Sequence, residues 1–249
     1  MRYAIFLVFI TLGSSCARHP GFEIAEIAAC DTPGWAHDVT VTADSLFLSD
    51  RQGGYLVFRR SAAWDHPRVF APVHDVISLA PHAGEPVLAS RFEGLVLVSE
   101  DGTVKARFAN GDIANAVATR GDLAFAAYGL HGLVVARLEK NDIKILAQLS
   151  SPGWSHDVKL SRDQALLADW NYGLRVVDIS IPEHPREIAA LASPATTISI
   201  AIRQSAGERV AAIADGHAGV ALVSLDSSGR PRLLGRNSLG LNPADSPHP

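Results

Sequence analysis

The phrase GWAHDV at Gly34–Val39 returns, with one letter changed, as GWSHDV at Gly153–Val158. A chain with four tryptophans places two of them here, so the phrase is either an active site written twice or the joint of a repeating structure. Spacing decides between these. A glycine opens each of five apolar runs, Gly54 in GYLVF, Gly94 in GLVLV, Gly132 in GLVVA, Gly173 in GLRVV and Gly219 in GVALV, at intervals of 40, 38, 41 and 46 residues. Before each run, across a gap of hairpin length, stands a second apolar segment: SLFLSD, PVLASR, LAFAAY, ALLADW or VAAIAD. A further segment lies upstream (HDVTVT, HDVISLA, NAVATR, HDVKLS, ISIAIR) and a weaker one downstream, such as REIAALA at Arg186–Ala192. Val, Ile, Leu and Ala fill these segments, Gly, Asp, Asn and Pro separate them, and no sustained helical period intervenes. Four strands per period of about 40 residues is the pattern of a propeller blade. The expectation is therefore an all-β chain, a five-bladed β-propeller of four-stranded antiparallel blades spanning residues 22–236. Runs such as GLVLV are apolar on both faces, as strands between neighbouring blades must be. FEIAEIA at Phe22–Ala28 reads like a blade's fourth strand and is a candidate to pair with the last blade and close the ring; the alternative is an open solenoid, whose polar capping repeats are not evident.

The flanks read differently. Met1–Cys16 carries one arginine, the apolar run Tyr3–Leu12 and then small residues, which is an export signal. A run of ten residues falls short of the about 20 that a membrane-spanning helix needs. Gly13, Ser14 and Ser15 directly before Cys16 resemble a lipobox, which would make Cys16 the lipidated first residue of a cell-envelope lipoprotein facing periplasm or cell surface, joined to the domain by a linker at residues 17–21. Cleavage after Ala17 is the rival. With Cys16 lipidated, Cys30 is left as a small apolar side chain near a strand end; with Cys16 retained and unlipidated, a Cys16–Cys30 bridge becomes available. Residues 237–249 form a Pro-rich tail expected to be disordered. A net charge of −4 and a pI near 6.2 provide no basic field, so no nucleic-acid partner is expected.

One unit is specific enough to carry a family resemblance. The fourth, from Pro152 to Arg186, joins the apolar run Val176-Val177-Asp178-Ile179-Ser180 to the Pro-x-x-Pro turn Pro182-Glu183-His184-Pro185. This resembles the LVIVD repeat of exported bacterial and archaeal β-propellers, with the other units degenerate around the aspartate. The resemblance implies a propeller, often surface-associated, and no general enzymatic activity.

In a propeller the loop entering each first strand and the hairpin between the second and third strands open on one end. That end, the upper face, is expected to gather Trp35, His37 and Asp38 from the first unit, His74 and Asp75 from the second, Asn115 from the third, and Trp154, His156 and Asp157 from the fourth. Hairpin tips add Arg51, Arg91, Phe92, Tyr128, His131, Trp170, Tyr172 and His217. The ligand-binding set is Trp35, His37, Asp38, His74, Asp75, Trp154, His156, Asp157, Trp170 and Tyr172; no catalytic residue is assigned.

For the His–Asp pairs, an architectural role, with aspartates accepting backbone N–H groups, stands against a metal site in which His37, His74 and His156 converge on the axis as three imidazoles. Trp35, Trp154, Trp170 and Tyr172 either pack between blades or form an aromatic rim suited to sugars or peptides. No nucleophile elbow, phosphate loop or H-E-x-x-H motif occurs. The functional expectation is an exported, lipid-anchored binding or scaffold module, with a protein or carbohydrate ligand and no cofactor. The alternative is a metal-dependent or glycoside-hydrolase-like enzyme at the channel mouth, drawing on Asp38, Asp75 and Asp157.

Overall fold

Twenty strands form five separate sheets of four consecutive antiparallel strands in the computed structural model, which describes residues 30–59, 67–205 and 207–237. Blade 1 comprises β1 (Asp38–Val41), β2 (Ser45–Ser49), β3 (Tyr55–Arg59) and β4 (Arg68–Phe70). Blade 2 comprises β5 (Val76–His82), β6 (Glu85–Ser90), β7 (Gly94–Val98) and β8 (Val104–Phe108). Blade 3 is β9 (Ala114–Arg120), β10 (Leu123–Tyr128), β11 (Gly132–Glu139) and β12 (Asp142–Leu149). Blade 4 is β13 (Ser155–Ser161), β14 (Gln164–Asp169), β15 (Gly173–Asp178) and β16 (Arg186–Leu191). Blade 5 is β17 (Ser199–Ser205), β18 (Glu208–Ala214), β19 (Val220–Leu225) and β20 (Pro231–Asn237). The only helix among the described residues is a single 3-10 turn at Gly216–Ala218. The five-bladed propeller read from the repeat is the fold. Residues 1–29 and 238–249, which hold the export signal, Cys16, the linker, the FEIAEIA segment and most of the tail, lie outside the described residues.

The core lies between blades rather than within one. β7 and β10 are buried along both faces, and the interface of blades 2 and 3 packs Val87, Leu95 and Leu97 against Ala124, Ala126 and Val134. Each fully buried aliphatic side chain contributes about 1.5–3 kcal/mol, so these interfaces dominate stability. Small residues such as Ala124, Ala126 and Ala127 let twisted sheets approach closely where bulky ones would hold them apart. Polar groups of the inner strands then tie each blade to the next. Thr40 Oγ1 donates to the Leu79 carbonyl (3.0 Å), Thr119 Oγ1 to Pro81 (2.6 Å), and Asn115 Nδ2 to Ser155 (2.9 Å).

Blade 5 departs from this pattern. Its strands alternate buried and exposed residues, one face packing on blade 4 through Ile200, Ile213 and Val223 while Leu222 on the other is 46% exposed. β1 packs on β5, β5 on β9, β9 on β13 and β13 on β17; no comparable contact joins β17 to β1 among the described residues. On the facing side of the seam, Cys30 and Ala36 pack against Leu46, Leu48, Leu56 and Phe58 of blade 1, which places Cys30 in the apolar surroundings expected of it.

Candidate ligand-binding site

The glycine of the repeated phrase comes first, because it explains the phrase. In blade 1, Gly34 donates its N–H to Asp50 Oδ2 (2.7 Å), and Thr32 Oγ1 donates to Asp50 Oδ1 (3.0 Å). A Cβ on Gly34 would lie 2.6 Å from the Gly53 nitrogen and 2.7 Å from the Asp50 carbonyl oxygen. In blade 4 the same position, Gly153, sits over Asp169, whose carboxylate accepts a hydrogen bond from Ser151 Oγ, and a Cβ there would lie 2.7 Å from Asp169 Oδ1. Blade 5 repeats the latch with Asp215, bonded by Ser193, Thr197 and Arg236. These carboxylates, all but fully buried, hold the incoming loop of their own blade against its second hairpin. Burial pushes the Asp50 carboxyl up against the two hydrogen bonds. Burial acts on Asp215 in the same sense, but the donors from Ser193, Arg236 and Thr197 prevail and hold it below the usual carboxylate range. The latch aspartates were missed in the sequence, although their signal was there: SLFLSD, ALLADW and VAAIAD end their second strands alike.

The next residues of the phrase face the propeller axis. In β5, β9 and β13 a β-bulge leaves one inner-strand residue without a partner, and these extra residues are Ile77, Asn115 and His156. Bulges re-aim side chains. Together with His37 and Ile198 they line an axial cavity of about 430 Å³, and Asp38, Ser78, Ala116, Asp157 and Ser199 form a second layer of the same wall. The strand pairing corrects the repeat as read from sequence. Val76 pairs with the last residue of β6 as Ser155 pairs with the last residue of β14, so Ile77, and not His74, is the counterpart of His156. The third His-Asp-Val lies out of register with the other two. His74 and Asp75 precede β5 on its entering loop: the exposed His74 gives its carbonyl to Ser90 Oγ (2.8 Å), and Asp75, at φ +53°, is held by Arg51 Nε and Nη2 at 2.6 and 3.1 Å. The three imidazoles are accordingly not brought to one point, and no group of three or more His, Cys, Asp or Glu among the described residues is arranged to hold a metal.

The phrase's remaining polar groups are largely committed. The Ile77 carbonyl can only accept, so His37 Nδ1–H donates to it at 2.9 Å, tying blade 1 to blade 2. Asp157 Oδ2 accepts from Ile200 N (2.8 Å) and Ser199 Oγ (3.0 Å) of blade 5, while its Oδ1 takes Val158 N and Lys159 Nζ. Asp38 Oδ1 accepts the Val39 N–H (2.9 Å). The Arg51 hydrogen bonds hold the Asp75 carboxyl below the usual range despite its burial. Tyr128, expected at a hairpin tip, is fully buried: its hydroxyl donates to the Phe108 carbonyl (2.8 Å) and accepts the Leu95 N–H (2.9 Å), and burial pushes the phenol up. His131 Nδ1 pairs with Asp112 (2.9 Å).

One arrangement is left uncommitted. Between blades 3 and 4, Trp154, Trp170 and Tyr172 wall a groove of about 560 Å³ that continues over Ile113 and Leu130 to Arg91. His156 lies at its floor, its ring 4.6 Å from that of Trp170. The Nε2 of His156 is buried and has no hydrogen-bond partner among the described residues. Burial lowers this imidazole's pKa, aided by His37 and opposed by Asp157, so the ring is neutral at pH 7. Trp170 is 38% and Tyr172 49% exposed, whereas Trp35, 52% exposed in blade 1, does not line this groove. Trp170 also sits at φ +23°, where blades 3 and 5 place Gly129 and Gly216. A tryptophan in that conformation costs of order 1 kcal/mol relative to glycine, a local strain of the sort concentrated at binding sites.

Comparison with known proteins agrees with this architecture. The LVIVD repeat matches residues 152–191, the span of the fourth blade with its entering loop. At the level of sequence, no curated protein matches the chain. Among solved structures, the computationally designed Ika8 protein is similar at TM-score 0.63 and 11% identity, over 86% of this chain and 65% of its own. Dihydro-heme d1 dehydrogenase NirN in complex with DHE is similar at TM-score 0.64 and 14% identity, over 83% of this chain and 48% of its own. The chain thus spans less than two thirds of either. KlAtg21, in complex with the coiled-coil of AgAtg16, is similar at TM-score 0.65 and 12% identity, over 93% of this chain and 81% of its own. At these identities the likeness is one of fold.

Proposed function

From a five-bladed β-propeller whose fourth blade is an LVIVD repeat, we propose a binding module of the cell envelope that takes a protein ligand in the groove between blades 3 and 4. One observation carries this: three aromatic side chains surround an open groove above a buried imidazole nitrogen that no group among the described residues satisfies. An unpartnered buried polar atom costs about 1–3 kcal/mol, which a ligand's hydrogen bond would recover. Flat, semi-rigid aromatic walls add contact area at low entropic cost. The coiled-coil complex of KlAtg21 is an analogy of fold for a protein partner. Export and a lipid on Cys16 complete the proposal, supported by the apolar run Tyr3–Leu12 and the small residues before Cys16.

The test compares the wild-type chain with a Trp170→Gly, Tyr172→Ala double variant as bait in envelope extract, with retained proteins quantified by mass spectrometry. A partner held by the wild type and lost from the variant is expected. Identical profiles would sink the proposal, and Trp170-dependent retention on a glycan array with no protein partner would make carbohydrate the ligand. Metabolic labelling with a palmitate analogue is expected to mark the wild type and leave Cys16→Ser unlabelled.

A further inference from the structure

Arg91 stands at the far end of the groove, directly after β6, with its backbone N–H on the Asp75 carbonyl (3.0 Å) and its side chain exposed. It borders both the groove and the axial cavity. The other cations at this end have carboxylate partners: Arg51 pairs with Asp75 at 2.6 Å and Lys159 with Asp157 at 3.0 Å. Arg91 has no ion pair among the described residues; the nearby Asp75 carboxylate is already gripped by Arg51, and Asp112 by His131. Among the described residues the groove lining contains no aspartate or glutamate, in a chain where acidic residues outnumber basic ones 26 to 22. An unpaired guanidinium at the edge of a carboxylate-free wall is complementary to an anion, and its planar donor fork matches a carboxylate.

The rest of the wall specifies what carries that anion. Beyond the aromatic residues come Ile113 and Leu130, an aliphatic stretch that suits an aliphatic or aromatic side chain; of the two amides in the lining, Asn115 already donates to the Ser155 carbonyl, which leaves Asn171 alone to pair sugar hydroxyls. His156 Nε2 needs one polar contact, which a peptide main chain supplies. Resting on the groove reading above, we infer that the ligand is an acidic peptide segment: one apolar side chain sits among Trp154, Trp170 and Tyr172, and an adjacent aspartate or glutamate is held by Arg91. Arg91 then selects by charge and the aromatic pocket by shape.

The experiment displays a random dodecamer library on phage, selects on the full chain and counter-selects on Trp170→Gly. Enrichment of sequences with Asp or Glu beside a large apolar residue is the expected result. Enrichment of neutral or basic sequences overturns the inference and leaves the groove a binding site. No Trp170-dependent enrichment overturns the groove reading and the inference together. An enriched peptide, synthesised and titrated calorimetrically, is expected to bind about tenfold or more weakly when its acid is changed to the amide or when Arg91→Gln is introduced, and the combined change should weaken it no further than either alone. Unchanged affinity in Arg91→Gln, with a thermal melt matching the wild type, overturns the role of Arg91. Oligogalacturonate binding with the same Arg91 dependence, where peptides fail, overturns the peptide class.

Discussion

The first and fourth blades carry nearly the same phrase and put it to different use. In both, the glycine lies against a buried aspartate and the inner-strand residues face the axis. The surroundings differ at the next hairpin, where blade 1 has Arg51 and Gly53 and blade 4 has Trp170 and Tyr172. His37 is bonded to blade 2, while His156 Nε2 is left open beneath the Trp170 ring. The phrase is therefore the joint, and the hairpin opposite it makes the groove. A nearly identical motif can line the axial cavity alone in one blade and in another also floor a groove.

The largest effect expected tests the shared half. Asp50→Ala and Asp169→Ala should each cost about 2–3 kcal/mol, because each removes a buried, hydrogen-bonded carboxylate. Urea unfolding of the two variants should agree within about 1 kcal/mol; a wide divergence would mean that the latches are not equivalent. Next come the glycines. A Cβ on Gly34 meets backbone atoms, whereas one on Gly153 meets the Asp169 carboxylate and the Tyr172 ring, of which the half-exposed ring can move. Gly34→Ala is thus expected to cost about 2 kcal/mol and Gly153→Ala about half that, in the same assay.

Acid stability separates the blades further. The Asp75 carboxyl is held below its unfolded value by Arg51, so its contribution is full above pH of about 4 and disappears as pH falls through the lower folded pKa. In blade 4, Trp170 stands where Arg51 does, so that blade has no equivalent pair. Arg51→Gln should flatten the loss of stability between pH 5 and 2 by less than about 1 kcal/mol in all, read from urea midpoints across pH; an unchanged acid limb would show that the pair carries no linkage. The smallest stability effects concern the rim. Trp35→Ala and Trp170→Gly should each change stability by no more than about 0.5 kcal/mol, the second because relief of a positive φ offsets lost packing. Trp170→Arg with Tyr172→Gly, which rewrites blade 4 as blade 1, should leave the fold intact and abolish peptide binding.

Legibility in the sequence followed the range of the interaction. Blade number and strand order could be read because each blade repeats a local pattern of apolar runs and hairpins. Pairing at the axis could not: a bulge adds one unpaired residue to the inner strand, and the His-Asp-Val of blade 2 looks like a repeat while its histidine precedes the counterpart position, Ile77, by three residues. Tyr128 misled in the same way, since its position at a strand end gives no sign that it reaches across to Leu95 and Phe108 of the neighbouring blade. Trp154, Trp170 and Tyr172 were legible as an aromatic set, but Arg91 earned its place beside them only in space.

The sequence alone determined five four-stranded units and the end of the ring on which their loops meet, because hydrophobic periodicity and turn residues act between near neighbours along the chain. Only the tertiary structure decided which polar groups are committed and which are left over. That depends on contacts between blades about 40 residues apart, where a single bulge settles whether a side chain meets a carbonyl, a carboxylate or an empty groove.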